Sequence, residues 1–220
     1  DSYRPNPENA VHTFCHCIDH TWHQMAVILS AASCLSWVTQ LTGYKDEASL
    51  LSEIEKLDFS KPSQVTFLPY LSGERTPHNN PNAQGVFFGL GHNTDSAELG
   101  RAVLEGIAFA FADAQQAMLT AGTQIDTVSV IGGGSVSQLW GKILASVLNR
   151  NLVYGHGGEV GPAYGAARLA KIGLNSMPAG QVCVAPKVKY IIKPDAIMSG
   201  YYSKQHLKYQ QLYQSLKHHF

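Results

Sequence analysis

Apolar residues recur along the chain at two spacings, and the spacing divides it into strands and helices. His12 to Ile18 and Trp22 to Ile28 alternate in strand fashion, with Asp19-His20-Thr21 as the hairpin turn between them. Ser30 stands where it would cap a helix over 31–42, which Gly43 stops. Asp46 to Leu57 is a second helix, with Leu50, Leu51, Ile54 and Leu57 on one side. Val65 to Leu71 and Gly85 to Leu90 read as strands flanking a long polar loop, Ser72 to Gln84. Asp95 opens the longest helix, where Asp95 and Glu98 have the spacing of a capping box. Leu99, Val103, Ile107, Phe111, Ala114 and Met118 make one stripe down to Gly122. Gly106, Ala108, Ala110 and Ala112 are small enough for neighbours to approach closely.

Strand and helix then alternate, as in α/β folds. Thr127 to Ile131 is a strand, Gly132-Gly133-Gly134 a turn, and Ser137 to Leu148 a helix with Trp140, Ile143, Leu144 and Val147 on its apolar face. Leu152 to Tyr154 is a short strand. After the loop 157–161, Pro162 suits the first position of a helix to Lys171. The stretch 173–194 reads as irregular, and a last amphipathic helix runs from about Ser203 to Leu216.

Composition narrows the class. With 220 residues, 45% hydrophobic and 15% charged, the chain has the make-up of a globular domain with a substantial core. Lys+Arg and Asp+Glu are both 16, so bulk charge gives no attraction to nucleic acid or to anionic membrane. The longest apolar stretch, Met25 to Val38, is too short for a membrane span. The opening Asp1-Ser2-Tyr3-Arg4-Pro5 lacks the apolar core of a signal peptide, and its lack of Met suggests a chain cut from a longer one. Four scattered cysteines form no C-x-x-C pair and read as free thiols of a reducing cytoplasm.

The sharpest chemical feature is the strand, triple-glycine turn and helix over 128–148. Glycines admit close backbone approach, and the N-terminus of the following helix offers N–H donors and a positive dipole end to an anion such as a nucleotide phosphate. Ser135, Ser137 and Gln138 can add side-chain hydrogen bonds; a tight β–α turn without a ligand is the alternative. A Rossmann fingerprint fails, because Ser137 replaces the third glycine and Leu152-Val153-Tyr154 offers no carboxylate. A P-loop fails because Gly141-Lys142 is followed by Ile143. The loop containing Glu74, Arg75 and Thr76 reads either as a cleft edge or as a solvated connector. The small residues Gly161, Ala163, Gly165, Ala166 and Ala167 point to tight helix packing more than to ligand contact. His12, Cys15, His16, Cys17, His20 and His23 suggest a metal at first sight. No zinc spacing is met, though, and on a strand His12 and His16 face away from Cys15 and Cys17.

The run from Phe67 to His78, with Ser72-Gly73-Glu74-Arg75-Thr76-Pro77 at its centre, resembles the FGGY family of carbohydrate kinases, in particular its xylulose-phosphorylating members. Gly85 to Leu90, Arg101 to Gly106, Gly132 to Ser135 with Trp140, and Val160 to Ala167 carry the resemblance across nearly the whole chain. It implies an actin-like ATPase fold of two lobes, each on a ribonuclease-H-like core, with residues 1–220 as the C-terminal, nucleotide-binding lobe. By motif position it implies nucleotide contacts at Gly133, Gly134 and Gln138, flanked by Gly132 and Ser135. Ala32 and Ser36 occupy positions where glycerol kinases place a glycine and a glutamine against the nucleotide; the residue types differ here. It further implies ATP and Mg²⁺, the ion held mainly through the nucleotide and the other lobe. D-xylulose would bind through an N-terminal lobe, with Glu74, Arg75 and Thr76 lining the cleft. The family's catalytic aspartate is expected upstream, so no residue of this chain is assigned the chemistry and none a metal. The expected enzyme is cytoplasmic, in keeping with the free thiols, with a homodimer left open. A kinase for another pentose or polyol, or a stand-alone nucleotide-binding module, remains the alternative.

Overall fold

The computed structural model describes residues 2–175 and 177–220. The centre of the molecule is one long helix, because its sequence is apolar or small nearly all round. Helix α3 (Ser96–Thr120) buries Val103, Leu104 and Ile107 completely, along with most of its alanines. Asp95 caps it by accepting the Glu98 N–H at 2.9 Å. Only this half of the predicted capping box forms, since the Glu98 carboxylate accepts from Ser63 Oγ instead.

Ahead of α3 lie a hairpin, β1 (His12–Cys15) paired antiparallel with β2 (Trp22–Met25), and two helices, α1 (Ala32–Leu41) and α2 (Glu47–Ile54). A second antiparallel pair follows, β3 (Thr66–Leu68) with β4 (Val86–Phe88). Leu50 and Ile54 of α2, Cys34 and Val38 of α1, and Phe67 and Leu68 of β3 pack around α3 in one core. Gly106 is where α3 meets β3: a Cβ there would sit 2.3 Å from the Phe67 carbonyl oxygen, so any side chain would push the strand away. A buried ion pair of this core, Arg101 Nε to Glu105 Oε1 at 2.8 Å, is completed by the Tyr202 hydroxyl and by the Asp58 and Lys61 carbonyls.

The second half is the expected strand and helix alternation. Strand β5 (Thr127–Val130) runs parallel to β6 (Asn151–Gly155), with α4 (Gln138–Leu148) crossing between them. Helices α5 (Pro162–Asn175) and α6 (Ala179–Val182) then lead to β7 (Val188–Ile192), antiparallel to β6. Helix α7 (Ala196–Leu216) closes the fold and buries Met198, Tyr202, Tyr209 and Tyr213. No helix is long and apolar enough to cross a membrane among the described residues.

Four sequence expectations are corrected. Ser30 does not cap α1: Ala31 is the N-cap, with no side-chain hydrogen bond, while buried Ser30 uses its carbonyl to accept from the Cys34 thiol. The stretch 173–194, read as irregular, contains β7, because Tyr190 and Ile192 fill the space beside Tyr154 and Val128; position 176 within it lies outside the described residues. Helix α7 begins at Ala196 rather than Ser203, because Asp195 caps it by accepting from the Ile197 and Met198 amides. The small residues of α5 do not mediate tight packing: a Cβ on Gly165 would meet nothing, and Tyr164, Leu169 and Leu174 are exposed.

Candidate functional site

Strand β5 ends at Val130, and the chain must turn sharply to start α4. Gly132 makes the turn at φ +89°, a conformation that side chains resist. Its N–H donates to the Gly158 carbonyl at 3.0 Å, and its own carbonyl accepts from the Ser135 amide and hydroxyl at 3.1 and 2.7 Å. Gly133–Val136 then form a single 3-10 turn, and Ser137 caps α4 by accepting from the Trp140 amide at 3.2 Å. The two remaining glycines serve different ends. A Cβ on Gly134 would lie 2.4 Å from the Trp140 ring, so Gly134 is required by packing within the lobe. A Cβ on Gly133 would meet nothing within 4 Å, and its surface is open.

What it opens onto is a cavity of about 640 Å³ between this turn, α1 and α2. Gly133, Gly134, Ser137 and Gln138 line it from the turn and the first residues of α4. The positive end of the α4 dipole thus faces the space. From α1 come Ala32, Leu35 and Ser36, and from α2 one face of Glu47, Leu51 and Glu55 with Ala48 and Ser52 beside them. Val136, 78% exposed, projects here as well. Trp140, buried in the same wall, leaves its Nε1 without a hydrogen-bond partner. Ser36 Oγ donates to Glu47 Oε1 at 2.5 Å, and this bond, first among several causes, holds the Glu47 carboxyl below the ordinary glutamate range.

Five residues singled out in the sequence, Ala32, Ser36, Gly133, Gly134 and Gln138, therefore meet at one cavity although about a hundred positions separate the two groups. Gly132 and Ser135 stand behind it, holding the turn by their mutual hydrogen bonds. The α2 face was missed. Sequence reading places Leu51 on the core side with Leu50 and Ile54; in the fold Leu50 and Ile54 are fully buried, while Leu51 packs against the core and also borders the cavity. The spacing of Glu47, Leu51 and Glu55, one helical turn apart each, was the available signal.

The second predicted feature is built differently. Glu74 is 1% exposed, and its Oε1 accepts from the Leu29 and Arg75 amides at 3.0 and 2.8 Å; Oε2 has no partner. Burial pushes its carboxyl up to about 7. Thr76 is fully buried, donating to the Ala10 carbonyl and accepting from the Val27 amide. His78 lies on the Tyr213 ring with centroids 3.6 Å apart and bonds the Tyr70 hydroxyl; burial drives it down to about 4. Backbone bonds between Glu74 and Asn80 close the loop. Arg75 alone of the three named residues faces outward, beside Tyr3 and Phe14.

Residues 3–174 match the model of the FGGY family of carbohydrate kinases, C-terminal domain. The chain belongs to this family. It is 44% identical over 218 residues to the xylulose kinase of Escherichia coli (strain K12), covering 98% of this chain and 45% of that protein. It is 41% identical over 218 residues to the xylulose kinase of Klebsiella pneumoniae, covering 99% of this chain and 45% of that protein. The solved structure of a xylulose kinase from Brucella ovis superposes with a TM-score of 0.92 at 42% identity, covering all of this chain and 46% of that one. The chain thus spans a little under half the length of the relatives it matches.

Proposed function

We propose that this chain is the nucleotide-binding, C-terminal lobe of a cytoplasmic kinase that transfers the γ-phosphoryl group of ATP to a hydroxyl of D-xylulose. The observation that carries the reading is the 640 Å³ cavity on which Ala32, Ser36, Gly133, Gly134 and Gln138 converge. Its chemistry suits a nucleotide. Leu35, Leu51 and Val136 offer apolar surface to a base, and the open face of Gly133 and the N-terminus of α4 offer an anion their donors. The parallel β5–α4–β6 unit behind it is in keeping with a ribonuclease-H-like core of the actin-like ATPase class.

Phosphoryl transfer depends mainly on alignment and on stabilising charge. In this lobe the Gly132–Val136 turn and α4 hold the phosphate chain in place, while the α1–α2 side holds the nucleoside. Among the described residues no group of three or more His, Cys, Asp or Glu stands together as a metal cage. Mg²⁺, which neutralises phosphate charge, would be held through the nucleotide and the other lobe. The group that takes the proton from the sugar hydroxyl is assigned outside this chain, as is most of the sugar pocket. Closure of a second lobe over the cavity would exclude water from the transferring phosphoryl group.

A two-part measurement tests this. The 220-residue chain by itself should bind Mg·ATP in a calorimetric titration and release no ADP in response to D-xylulose. Absence of nucleotide binding would remove the site. Xylulose-dependent turnover approaching the common enzyme value of about 10 s⁻¹ would show that the catalytic groups lie within this chain after all.

A further inference from the structure

Among the described residues the cavity is lined by no cationic side chain, and its ionisable groups are Glu47 of α2 and Glu55 at the C-cap of that helix, whereas the turn and α4 contribute uncharged residues. A triphosphate cannot lie against carboxylates, so α2 must face a part of the ligand that is uncharged and rich in donors. In a nucleoside triphosphate the vicinal 2′ and 3′ hydroxyls of the ribose meet that description. Glu47 is the better placed of the two acids. Glu55 is exposed at the C-terminal end of α2, while Glu47 is half-buried at its first position, where the helix dipole favours a negative charge. Ser36 reaches across from α1 and fixes one carboxylate oxygen at 2.5 Å. The Glu47 backbone amide also bonds the carboxylate, and Ser36 is its side-chain partner among the described residues. A carboxylate has about four acceptor sites, so one oriented by these two bonds keeps capacity to accept from a ligand.

We infer that Glu47, positioned by Ser36, reads the ribose of the bound nucleotide by accepting hydrogen bonds from its hydroxyls, and so selects ribonucleotides over 2′-deoxyribonucleotides. The inference rests on the assignment of the cavity to ATP and adds a specificity residue that the sequence comparison with glycerol kinases did not supply. The adenine amino group is the competing donor, and the experiment separates the two.

Binding of ATP, 2′-deoxy-ATP and inosine triphosphate, each with Mg²⁺, is titrated against the wild-type chain, Glu47→Gln, Ser36→Ala and Glu53→Gln. Wild type should prefer ATP over deoxy-ATP by about tenfold or more, the scale of a hydrogen bond to a charged group. Glu47→Gln should shrink that ratio to within about twofold, and Ser36→Ala should reduce it partway by freeing the carboxylate. Glu53→Gln, on α2 but outside the cavity and paired with Lys56, should keep the wild-type ratio. The ratio is the readout because losing a negative charge near phosphates strengthens both nucleotides together. Thermal melting identifies any variant that fails to fold, and the partial effect of Ser36→Ala then carries the test. If wild type binds ATP and deoxy-ATP equally, or Glu47→Gln keeps the preference, the inference is overturned while the cavity assignment stands. A change in the ATP-to-inosine-triphosphate ratio alone would also overturn it, reassigning Glu47 to the base. If wild type binds no nucleotide, the cavity assignment itself falls and the inference with it.

Discussion

Two polar stretches drew attention in the sequence for similar reasons, the loop 72–81 and the turn 131–138, and the fold uses them in opposite ways. In the loop the polar groups are already occupied, apart from Glu74 Oε2, which is buried without a partner. Glu74 takes two backbone amides, Thr76 makes two hydrogen bonds to distant segments, and His78 is stacked and bonded. In the turn the face toward the cavity is open: Gly133 is exposed and has no neighbour at its Cβ position. The lesson is that polarity and length do not distinguish a ligand-binding segment from a structural one. What distinguishes them is whether the donors and acceptors are satisfied from within the chain. These bonds tie Glu74, Thr76 and His78 to other segments of this chain, while Arg75 is exposed and free to meet another surface.

The largest consequence of that contrast is a pH dependence of stability located in the loop. Glu74 has its carboxyl raised by burial from 4.5 to about 7, so its contribution is fully present below pH 4.5 and is lost as pH rises through 7. His78 is lowered by burial from 6.5 to about 4, so its contribution is present above pH 6.5 and is lost as pH falls through 4. Each shift corresponds to an effect of up to about 3 kcal/mol. The two slopes oppose each other between pH 4.5 and 6.5, and the wild-type chain should have a nearly level stability there. Glu74→Gln keeps an acceptor for the Leu29 and Arg75 amides but cannot ionise. Its stability should climb with pH from 4 to 6.5, following His78 alone, and should exceed wild type at pH 8. Urea unfolding at pH 4.5, 6.5 and 8 measures this; parallel profiles for the two proteins would place the buried ionisation elsewhere.

Next in size are substitutions that disturb groups the chain itself uses. Thr76→Val leaves the Val27 amide and the Ala10 carbonyl without their partner in a fully buried position, and should destabilise by about 2 kcal/mol. Gly134→Ala drives a methyl group into the Trp140 ring and should cost a similar amount, about 2 kcal/mol, by overpacking. Any loss of ATP binding in Gly134→Ala would then follow from a displaced Trp140 rather than from a clash with the ligand. Denaturant midpoints at constant slope would verify both values. A Gly134→Ala protein of wild-type stability with weak ATP binding would return Gly134 to the role of direct contact.

Much of this was legible in the sequence because it depends on local signals. Helix α4 announces itself by a triple glycine, a serine cap and an apolar face, and α3 by Asp95 and a long apolar stripe. Other features depend on partners far away in sequence. Strand β7 exists because Tyr190 stacks on Tyr154 at 4.5 Å, and nothing within 173–194 foretells that pairing. The start of α7 at Ala196 depends on Asp195, which lies just past the stretch read as irregular and carries the capping signal that the reading from Ser203 leaves out. The cavity was half legible. Its glycine side is a motif, but its α2 side is defined only by which face of an ordinary amphipathic helix the core leaves uncovered. Glu74 shows the same limit: a carboxylate in a polar loop reads as solvated, and only the fold reveals it buried against backbone amides.

The smallest effect expected is also the cleanest test of the contrast. Gly133→Glu should weaken ATP binding by about tenfold, roughly 1.4 kcal/mol, while leaving thermal stability within about 0.5 kcal/mol of wild type. The structural reason for the unchanged stability is specific: Gly133 does not occupy the left-handed region, and a Cβ there meets nothing within 4 Å. The reason for weaker binding is electrostatic, since a carboxylate placed at the turn opposes the phosphates that α4 is disposed to attract. Charge and bulk can be separated with Gly133→Gln, which adds the same length without the charge and should lose distinctly less affinity. The difference between the two variants should also shrink in 1 M salt, where the screening length falls to about 3 Å. Equal losses for Glu and Gln at every salt concentration would mean that the side chain merely obstructs the cavity mouth. Equal affinity for both variants and wild type would mean that the phosphates lie elsewhere, and that the open face of the turn is an ordinary exposed surface.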